Sequence, residues 1–105
     1  MKVREHVTLY LEYCKYRKEL DDKTVKAYRI DLRQFFEYIE LDEPQKANIE
    51  NYITMLHKTY KQKTIKRKLA SIKAFYNYLE DEEFINENPF RKIKVKFKEE
   101  IVLPR

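Results

Sequence analysis

The sequence predicts an all-α domain, and three observations support this prediction. The chain has 105 residues, 43% of them hydrophobic, which suits one small domain with a single core. It contains no glycine and only three prolines, so it lacks the residues that the turns and bulges of a small sheet use. Apolar side chains recur at three- and four-residue spacing in four segments, as they do in amphipathic helices. Four helices with short links predict a small orthogonal or bundle-like core.

The first two helices are predicted from their apolar stripes. The first covers about residues 2–19 and ends at Asp21 and Asp22, and the second covers about residues 23–39. Thr24 is expected in the cap region of the second helix, helped by the two aspartates before it. The stripes consist of Val3, Val7, Tyr10, Leu11 and Cys14, and of Val25, Tyr28, Leu32, Phe35, Phe36 and Ile39.

Two further helices follow a loop at Pro44. The third is shorter, from about residue 45 to 58, and the fourth runs from about residue 63 to 81. Pro89 should prevent a regular helix around Asn88, because proline disfavours helical geometry in the residue before it. The two stripes are Ile49, Tyr52, Ile53 and Leu56, and Ile65, Leu69, Ile72, Phe75, Tyr76 and Leu79.

A repeat relates the second and fourth helices. Residues 23–40 read KTVKAYRIDLRQFFEYIE, and residues 63–80, displaced by 40 positions, read KTIKRKLASIKAFYNYLE. Each copy opens with Lys-Thr and closes with aromatic residues. Free N–H groups and partial positive charge at a helix N-terminus bind phosphate, and each Lys-Thr pair adds a cation and a hydroxyl there. The repeat therefore suggests two helices with the same task.

Positive charge is concentrated around the fourth helix. Residues 58–77 contain seven basic residues and no acidic one, in a chain with net charge +5 and a pI near 9.2. Lys63, Lys66, Arg67, Lys73 and the small residues between them are predicted opposite the apolar stripe, a surface that suits the major groove of DNA. The second helix carries a weaker basic surface, with Asp31 and Glu37 expected to dilute it; this surface consists of Lys23, Lys26, Ala27, Arg29, Arg33 and Gln34. A solvated lysine-rich face with Thr24 and Thr64 acting only as caps is the structural alternative.

The residue pattern does not support catalysis by this chain alone. His6, His57 and the single Cys14 have no zinc-binding spacing, and without glycine there is no phosphate-binding loop, so no metal or cofactor is predicted. Cys14 is expected to be a buried structural thiol in a reducing, cytoplasmic setting. No apolar run of about 18 residues and no signal-like start is present, so no membrane partner is expected.

The order of motifs resembles the N-terminal core-binding domain of tyrosine recombinases, the phage integrase family. The resemblance spans about residues 3–105 and depends on order and spacing together rather than on any single element. The matching residues are Lys23-Thr24, Tyr28, Asp31-Leu32 and Phe35, then Lys63-Thr64-Ile65, Phe75-Tyr76-x-Tyr78-Leu79, Asn86-Glu87-Asn88-Pro89-Phe90 and Leu103-Pro104-Arg105.

The resemblance implies a four-helix, SAM-like domain that closes over one side of double-stranded DNA, while a catalytic domain of the same protein closes over the other. It implies that the second and fourth helices approach the major groove and that other recombinase protomers are possible partners on DNA. The family's tyrosine nucleophile belongs to the catalytic domain, so the tyrosines here inherit no such role. By position and charge together, the expected DNA-binding residues are Lys23, Thr24, Lys26, Ala27, Lys61, Gln62, Lys63, Thr64, Lys66, Arg67, Lys73, Arg91, Lys92 and Lys94.

The segment after residue 90 is predicted to differ from the helical domain. Basic and apolar residues alternate from Arg91 to Lys98, a pattern that favours an extended linker because a lone strand has no partner. We therefore divide the chain into a core-binding domain, residues 1–90, and an interdomain linker, residues 91–105, and expect a longer natural protein. A helical protein-interaction or transcription-regulatory domain with a basic face for an acidic partner is the alternative function, and a membrane-bound basic helix is a weaker third.

Overall fold

Residues 3–95 of the chain are described by a computed structural model, in which helices follow one another in the predicted order. The N-terminal helical segment, residues 3–17, consists of a 3-10 turn, Val3–His6, helix α1, Val7–Glu12, and a π-helical turn, Tyr13–Arg17. Three longer helices follow, α2 (Asp22–Ile39), α3 (Lys46–Thr59) and α4 (Gln62–Asp81), and a 3-10 turn, Pro89–Lys92, lies near the end. The described part of the chain contains no strand, so the all-α prediction is confirmed.

The N-terminal helical segment is not the single regular helix that the pattern predicted. It changes from 3-10 to α to π geometry, and the amide of Lys18 donates to the carbonyl of Tyr13, 3.1 Å away, five residues earlier. Glu19 then takes a left-handed conformation with φ of 52°. The three pieces are only four, six and five residues long, too short for apolar spacing to distinguish the helical forms.

The other helices begin within one residue of their predicted positions, but the cap of α2 differs from the prediction. The carboxylate of Asp21 accepts a hydrogen bond of 2.9 Å from the amide of Thr24, so Asp21 is the cap and Thr24 lies inside the first turn. In α3, the side chain of Asn48 accepts from the amide of Gln45 at 2.9 Å. These bonds satisfy amides that a helix start leaves without partners.

The core lies where the predicted stripes of the helices meet. Every predicted stripe residue of α3 and α4 is buried, and Phe35 is fully buried at the centre of an aromatic cluster. Its ring centroid lies 5.0 Å from that of Phe36 and 5.1 Å from that of Tyr52, in edge-on contacts that aromatic pairs prefer. Val7, Leu11, Tyr28 and Ile39 are only partly buried at the margin of this core.

Cys14 is a buried thiol, as predicted. It is 1% exposed, and burial raises its pKa above the ordinary value, so the protonated form is favoured at neutral pH.

Among the described residues, no group of three or more His, Cys, Asp and Glu side chains is placed to hold a metal ion. No helix within residues 3–95 combines the length and the apolar character needed to span a membrane.

The residues around Pro89 close the described part of the fold. The buried side chain of Asn88 accepts a hydrogen bond of 3.0 Å from the amide of Phe90, and Phe90 and Ile93 join the core. Arg91 and Lys92 thus belong to a 3-10 turn, whereas the sequence predicted extended chain from residue 91. The predicted linker residues 96–105 lie outside the described residues, and the division of the chain at residue 90 stays a prediction.

The C-terminus of α2 offers a test of backbone strain. Glu40 ends the helix in a left-handed conformation, φ 57°, which costs a non-glycine residue about 1 kcal/mol. Replacing Glu40 with Gly is therefore expected to raise the free energy of unfolding by about 0.5–1 kcal/mol in urea denaturation. Glu50→Gly, at an exposed position inside α3, should lower it by about 1 kcal/mol. Equal effects of the two changes would contradict this account.

Candidate nucleic-acid interface

The two Lys-Thr pairs occupy equivalent positions in their helices. Lys23 and Thr24 are the second and third residues of α2, and Lys63 and Thr64 are the second and third residues of α4. Neither threonine is the N-cap, so the structure does not support a purely capping role for them. Lys61, which precedes α4, makes no side-chain capping hydrogen bond. The first turn of α4 therefore keeps amide groups that no capping side chain covers, beside three basic or hydroxyl-bearing side chains.

The predicted DNA-binding residues are mostly accessible. Four of them, Thr24, Ala27, Gln62 and Thr64, are half-buried. The others are exposed, namely Lys23, Lys26, Lys61, Lys63, Lys66, Arg67, Lys73, Arg91, Lys92 and Lys94. Ala70 is also exposed between these cations on α4, so the backbone of this helix is open to close approach. We call the exposed surface formed by Lys63, Lys66, Arg67, Ala70 and Lys73 the basic face of α4.

A buried carboxylate joins α2 to α4 beneath this face. Asp31 is fully buried, and its Oδ2 atom accepts from Nη1 of Arg67 at 2.9 Å and from Oγ of Ser71 at 2.8 Å. Its Oδ1 atom accepts from Nζ of Lys68 at 3.2 Å. The expectation that Asp31 weakens a basic surface on α2 is therefore wrong, because its charge is neutralised inside the protein.

Lys68, one of the seven basic residues of the 58–77 segment, does not contribute to the exposed positive surface. Its side chain is 4% exposed, and its ammonium group also donates to Oε1 of Gln34 and lies 5.2 Å from the centre of the Tyr60 ring. Buried cations are retained only when such partners replace water. Lys68 is thus a structural residue of the α2–α4 contact.

Arg67 connects the buried network to the surface. One nitrogen of its guanidinium group bonds to Asp31, yet the side chain is 51% exposed. A guanidinium carries five N–H donors in a rigid fork, so the bond to Asp31 leaves other donors at the surface. The carboxylate therefore orients a cation on the basic face of α4.

The repeat has a structural meaning at the crossing of α2 and α4. Asp31 and Ser71, which are 40 positions apart in the sequence and equivalent in the repeat, hydrogen-bond each other there. The helices run in opposite directions across this point, since Tyr28 lines a cavity with Ala74 and Asn77, whereas Gln34 bonds to Lys68. Each Lys-Thr pair lies about eight residues, or about 12 Å, from the crossing, at opposite ends of the helix pair.

The basic residues after Pro89 have carboxylate partners that the sequence analysis did not identify. The guanidinium of Arg91 donates from Nε to Oε2 of Glu80 at 2.7 Å and from Nη2 to the second oxygen. Lys92 lies 3.0 Å from a carboxylate oxygen of Glu87. The hydrogen bonds from Arg91 lower the pKa of Glu80 below its ordinary value, which keeps this carboxylate charged at neutral pH.

The comparisons with known proteins agree with one another. A family model described as "Phage integrase, N-terminal SAM-like domain" matches residues 7–83. The chain is 48% identical over 106 residues to a protein named tyrosine recombinase from Agathobacter rectalis, covering 98% of this chain and 35% of that protein. It is 33% identical over 92 residues to tyrosine recombinase XerC of Thermodesulfovibrio yellowstonii, covering 84% of this chain and 30% of that one.

A further relative is matched over a similar share of its length. Tyrosine recombinase XerC of Anoxybacillus flavithermus is 29% identical over 101 residues, covering 90% of this chain and 34% of that protein. The chain thus spans about a third of the length of the curated relatives it matches. No solved structure matches it significantly.

The buried network predicts a large effect of one charge on stability. Asp31→Asn removes the counter-charge of a buried lysine, and we expect the free energy of unfolding to fall by about 3 kcal/mol. Glu37→Gln is the matched control on α2, because the exposed Glu37 lies 3.9 Å from Arg33 and such pairs contribute about 0.5 kcal/mol or less. Urea denaturation of both variants measures the difference, and losses of similar size would argue against the network.

The Arg91–Glu80 pair predicts a pH-dependent contact. Because the pKa of Glu80 is lowered in the folded chain, the pair should persist at neutral pH and be lost as the pH falls through that lowered value. A carbon-detected NMR titration should place the pKa of Glu80 below that of an ordinary glutamate, and Arg91→Gln should raise it toward the ordinary value. Lys92→Gln, which removes the neighbouring cation, should leave it nearly unchanged. An identical pKa in the wild type and Arg91→Gln would contradict the assignment.

Proposed function

The chain belongs to the family of phage integrase N-terminal SAM-like domains, and from that premise we propose that it is the DNA-binding module of a site-specific tyrosine recombinase. In this proposal it binds one side of duplex DNA at the core site, and a catalytic domain of the same protein binds the other. The whole protein would cleave and rejoin DNA strands in the cytoplasm during integration or recombination. The helical domain would contribute binding and no catalytic residue.

The main support for the proposal is the basic face of α4, which lies above the buried carboxylate of Asp31. Its cations surround the exposed Ala70, which leaves room for the helix to approach the floor of a major groove. Lys63 and Lys73 lie ten positions apart on the exposed side, about 15 Å along the helix. That spacing lets them reach separate phosphates while Arg67, oriented by Asp31, lies between them.

The start of α2 would supply a second set of contacts. Lys23 and Lys26 are exposed there, and Thr24 and Ala27 are half-buried beside them. Because α2 and α4 run in opposite directions, this turn and the Lys61–Thr64 turn would contact the DNA backbone at two separated places. We propose that phosphate contacts at both ends orient the domain, with α4 between them contributing most of the binding.

The segment after Pro89 would follow the DNA backbone toward the catalytic domain. Arg91 and Lys92 are held by Glu80 and Glu87 in this structure, so a phosphate must share or replace these carboxylates. Lys94 is exposed next to the buried Ile93. We propose that this short basic segment is the start of the linker between the two halves of the clamp.

Duplex binding by the 105-residue chain should be weak and strongly dependent on salt, because half of the clamp is absent. Changing Lys63 and Lys73 together to Ala should weaken binding at low salt and reduce the slope of log K against log salt by up to about 2, since each phosphate contact contributes about 0.9. Fluorescence anisotropy with a labelled duplex at several salt concentrations measures both quantities.

The matched control is Lys15→Ala combined with Lys46→Ala, which removes the same charge at exposed positions away from the basic face. This variant should retain most of the affinity and nearly all of the salt slope. Circular dichroism should show that both double variants keep their helices. Equal losses in the two variants would mean that only total charge matters, and the assignment of the basic face would then fail.

A further inference from the structure

A second surface lies between the N-terminal helical segment and α2. It is a groove of about 560 Å³ with an apolar floor and a charged rim. The walls run from Arg4 to Tyr16 on one side and from Val25 to Phe36 on the other. The floor consists of Val25, Leu32 and Phe36, which are buried core residues, and of Val7 and Leu11, which are only partly buried.

The rim of this groove is predominantly positive. Its cations are the exposed side chains of Arg4, Lys15, Arg29 and Arg33, and Glu12 is the one carboxylate among the groove's lining residues. Arg33 has a carboxylate neighbour, Glu37, but both side chains are 64% exposed and their closest atoms are 3.9 Å apart. A pair of that kind is easily exchanged for another acidic partner.

The groove is distinct from the basic face of α4, although its rim residue Arg29 lies one helical turn from Lys26 of the second proposed contact set. Arg33 follows Asp31 by two positions, which places it about 200° around α2 from the residue that contacts α4. The charged rim of the groove on α2 therefore faces away from α4, whereas the floor residue Phe36 also packs on Phe75 of that helix. A duplex lying on the basic face of α4 would leave the groove open.

The wall formed by the N-terminal helical segment has two features that are typical of protein–protein contacts. Tyr16 is 70% exposed at the groove, the highest exposure among the large hydrophobic side chains of the described chain. Tyrosine and arginine are enriched where proteins bind one another. Tyr16 and Lys15 also lie in the π-helical turn Tyr13–Arg17, a rare geometry that is often found at functional sites.

The dimensions of the groove suit a helix. The walls cover twelve residue steps, from 4 to 16, and eleven, from 25 to 36, and each is therefore about 16–18 Å long, roughly three turns of an α-helix. A helical partner would contact both walls along this length with one apolar stripe. Phosphates of a nucleic acid would meet the cations but leave the apolar floor uncovered.

We propose that this groove binds an amphipathic helix of a partner protein, with an apolar stripe flanked by Asp and Glu. The stripe would cover the accessible apolar side chains of the groove, Val7, Leu11 and Tyr16, and the carboxylates would pair with the four cations of the rim. Such pairing favours acidic helices over basic ones. Binding here uses no residue of the basic face of α4, so the two activities can succeed or fail separately.

The test uses a designed helical peptide of about 14 residues, with Leu along one stripe and Glu on both flanks, and a twin in which Lys replaces every Glu. Each is titrated into the isotope-labelled 105-residue chain and followed by NMR. The Glu peptide should bind saturably and shift amide signals on both walls of the groove, whereas the Lys peptide should not. Absence of saturable binding by the Glu peptide would overturn the proposal.

Variants distinguish the groove from the basic face. Arg4→Glu combined with Lys15→Glu should weaken the Glu peptide about tenfold or more while leaving duplex binding nearly unchanged. Lys63→Ala combined with Lys73→Ala should do the reverse. If the Glu peptide instead loses affinity only in the α4 variant, it is acting as a DNA mimic and the groove proposal fails.

Sedimentation of the chain alone tests the remaining alternative, in which a second copy of the chain occupies the groove. A monomer that binds the Glu peptide supports a partner protein as the occupant. Self-association that is abolished by the Arg4→Glu and Lys15→Glu changes would assign the groove to a second copy of the chain and overturn the proposal.

Discussion

The buried carboxylate of Asp31 is the contact on which the arrangement of α2 against α4 depends. Removing a charge from water costs several kcal/mol, and this cost is offset only when every partner is in place. Arg67, Lys68 and Ser71 supply those partners from two successive turns of α4. A shift of α4 by one turn, about 5.4 Å, would leave the carboxylate without them. Apolar packing favours contact between the helices, whereas this network specifies their register.

That register determines which cations α4 exposes at its surface and how they are oriented. The same bond that satisfies Asp31 orients the half-exposed guanidinium of Arg67 between Lys63 and Lys73. The repeat adds a second consequence, because equivalent residues of the two copies meet at the crossing and their Lys-Thr turns lie at opposite ends. The contacts proposed for DNA therefore lie on one helix pair, whereas the groove proposed for an acidic helix lies between α2 and the N-terminal helical segment.

Apolar periodicity predicted the fold well because it directly reports which side of a helix is buried. The buried stripes of α3 and α4 were identified in full, and the starts of α2, α3 and α4 agree within one residue. Local chemistry was less informative: Thr24 is a good capping residue by type, but Asp21 holds that position. The π-helical turn covers only five residues, too few for apolar spacing to distinguish it from an α-helix. The sequence therefore could not reveal it.

Charge was the hardest property to interpret from sequence, because its role depends on partners distant in the chain. Asp31 and Lys68 look like surface residues, yet each is buried by the other helix. One signal of burial was available in the sequence. Asp31 lies between the apolar residues Ile30 and Leu32, at the position equivalent to Ser71 in the repeat. The carboxylates of Glu80 and Glu87 beside Arg91 and Lys92 become visible only once the chain folds back at Pro89.

The central claim is that the helix pair locked by Asp31 engages duplex DNA through its basic face. Titration of duplex DNA into the isotope-labelled chain, with backbone amides and the Arg67 guanidinium followed by NMR, tests it most directly. We expect saturable shifts at both Lys-Thr turns and at Arg67, with the groove beside the N-terminal helical segment nearly unchanged. Shifts centred on that groove, or spread over the surface without saturation, would contradict the claim.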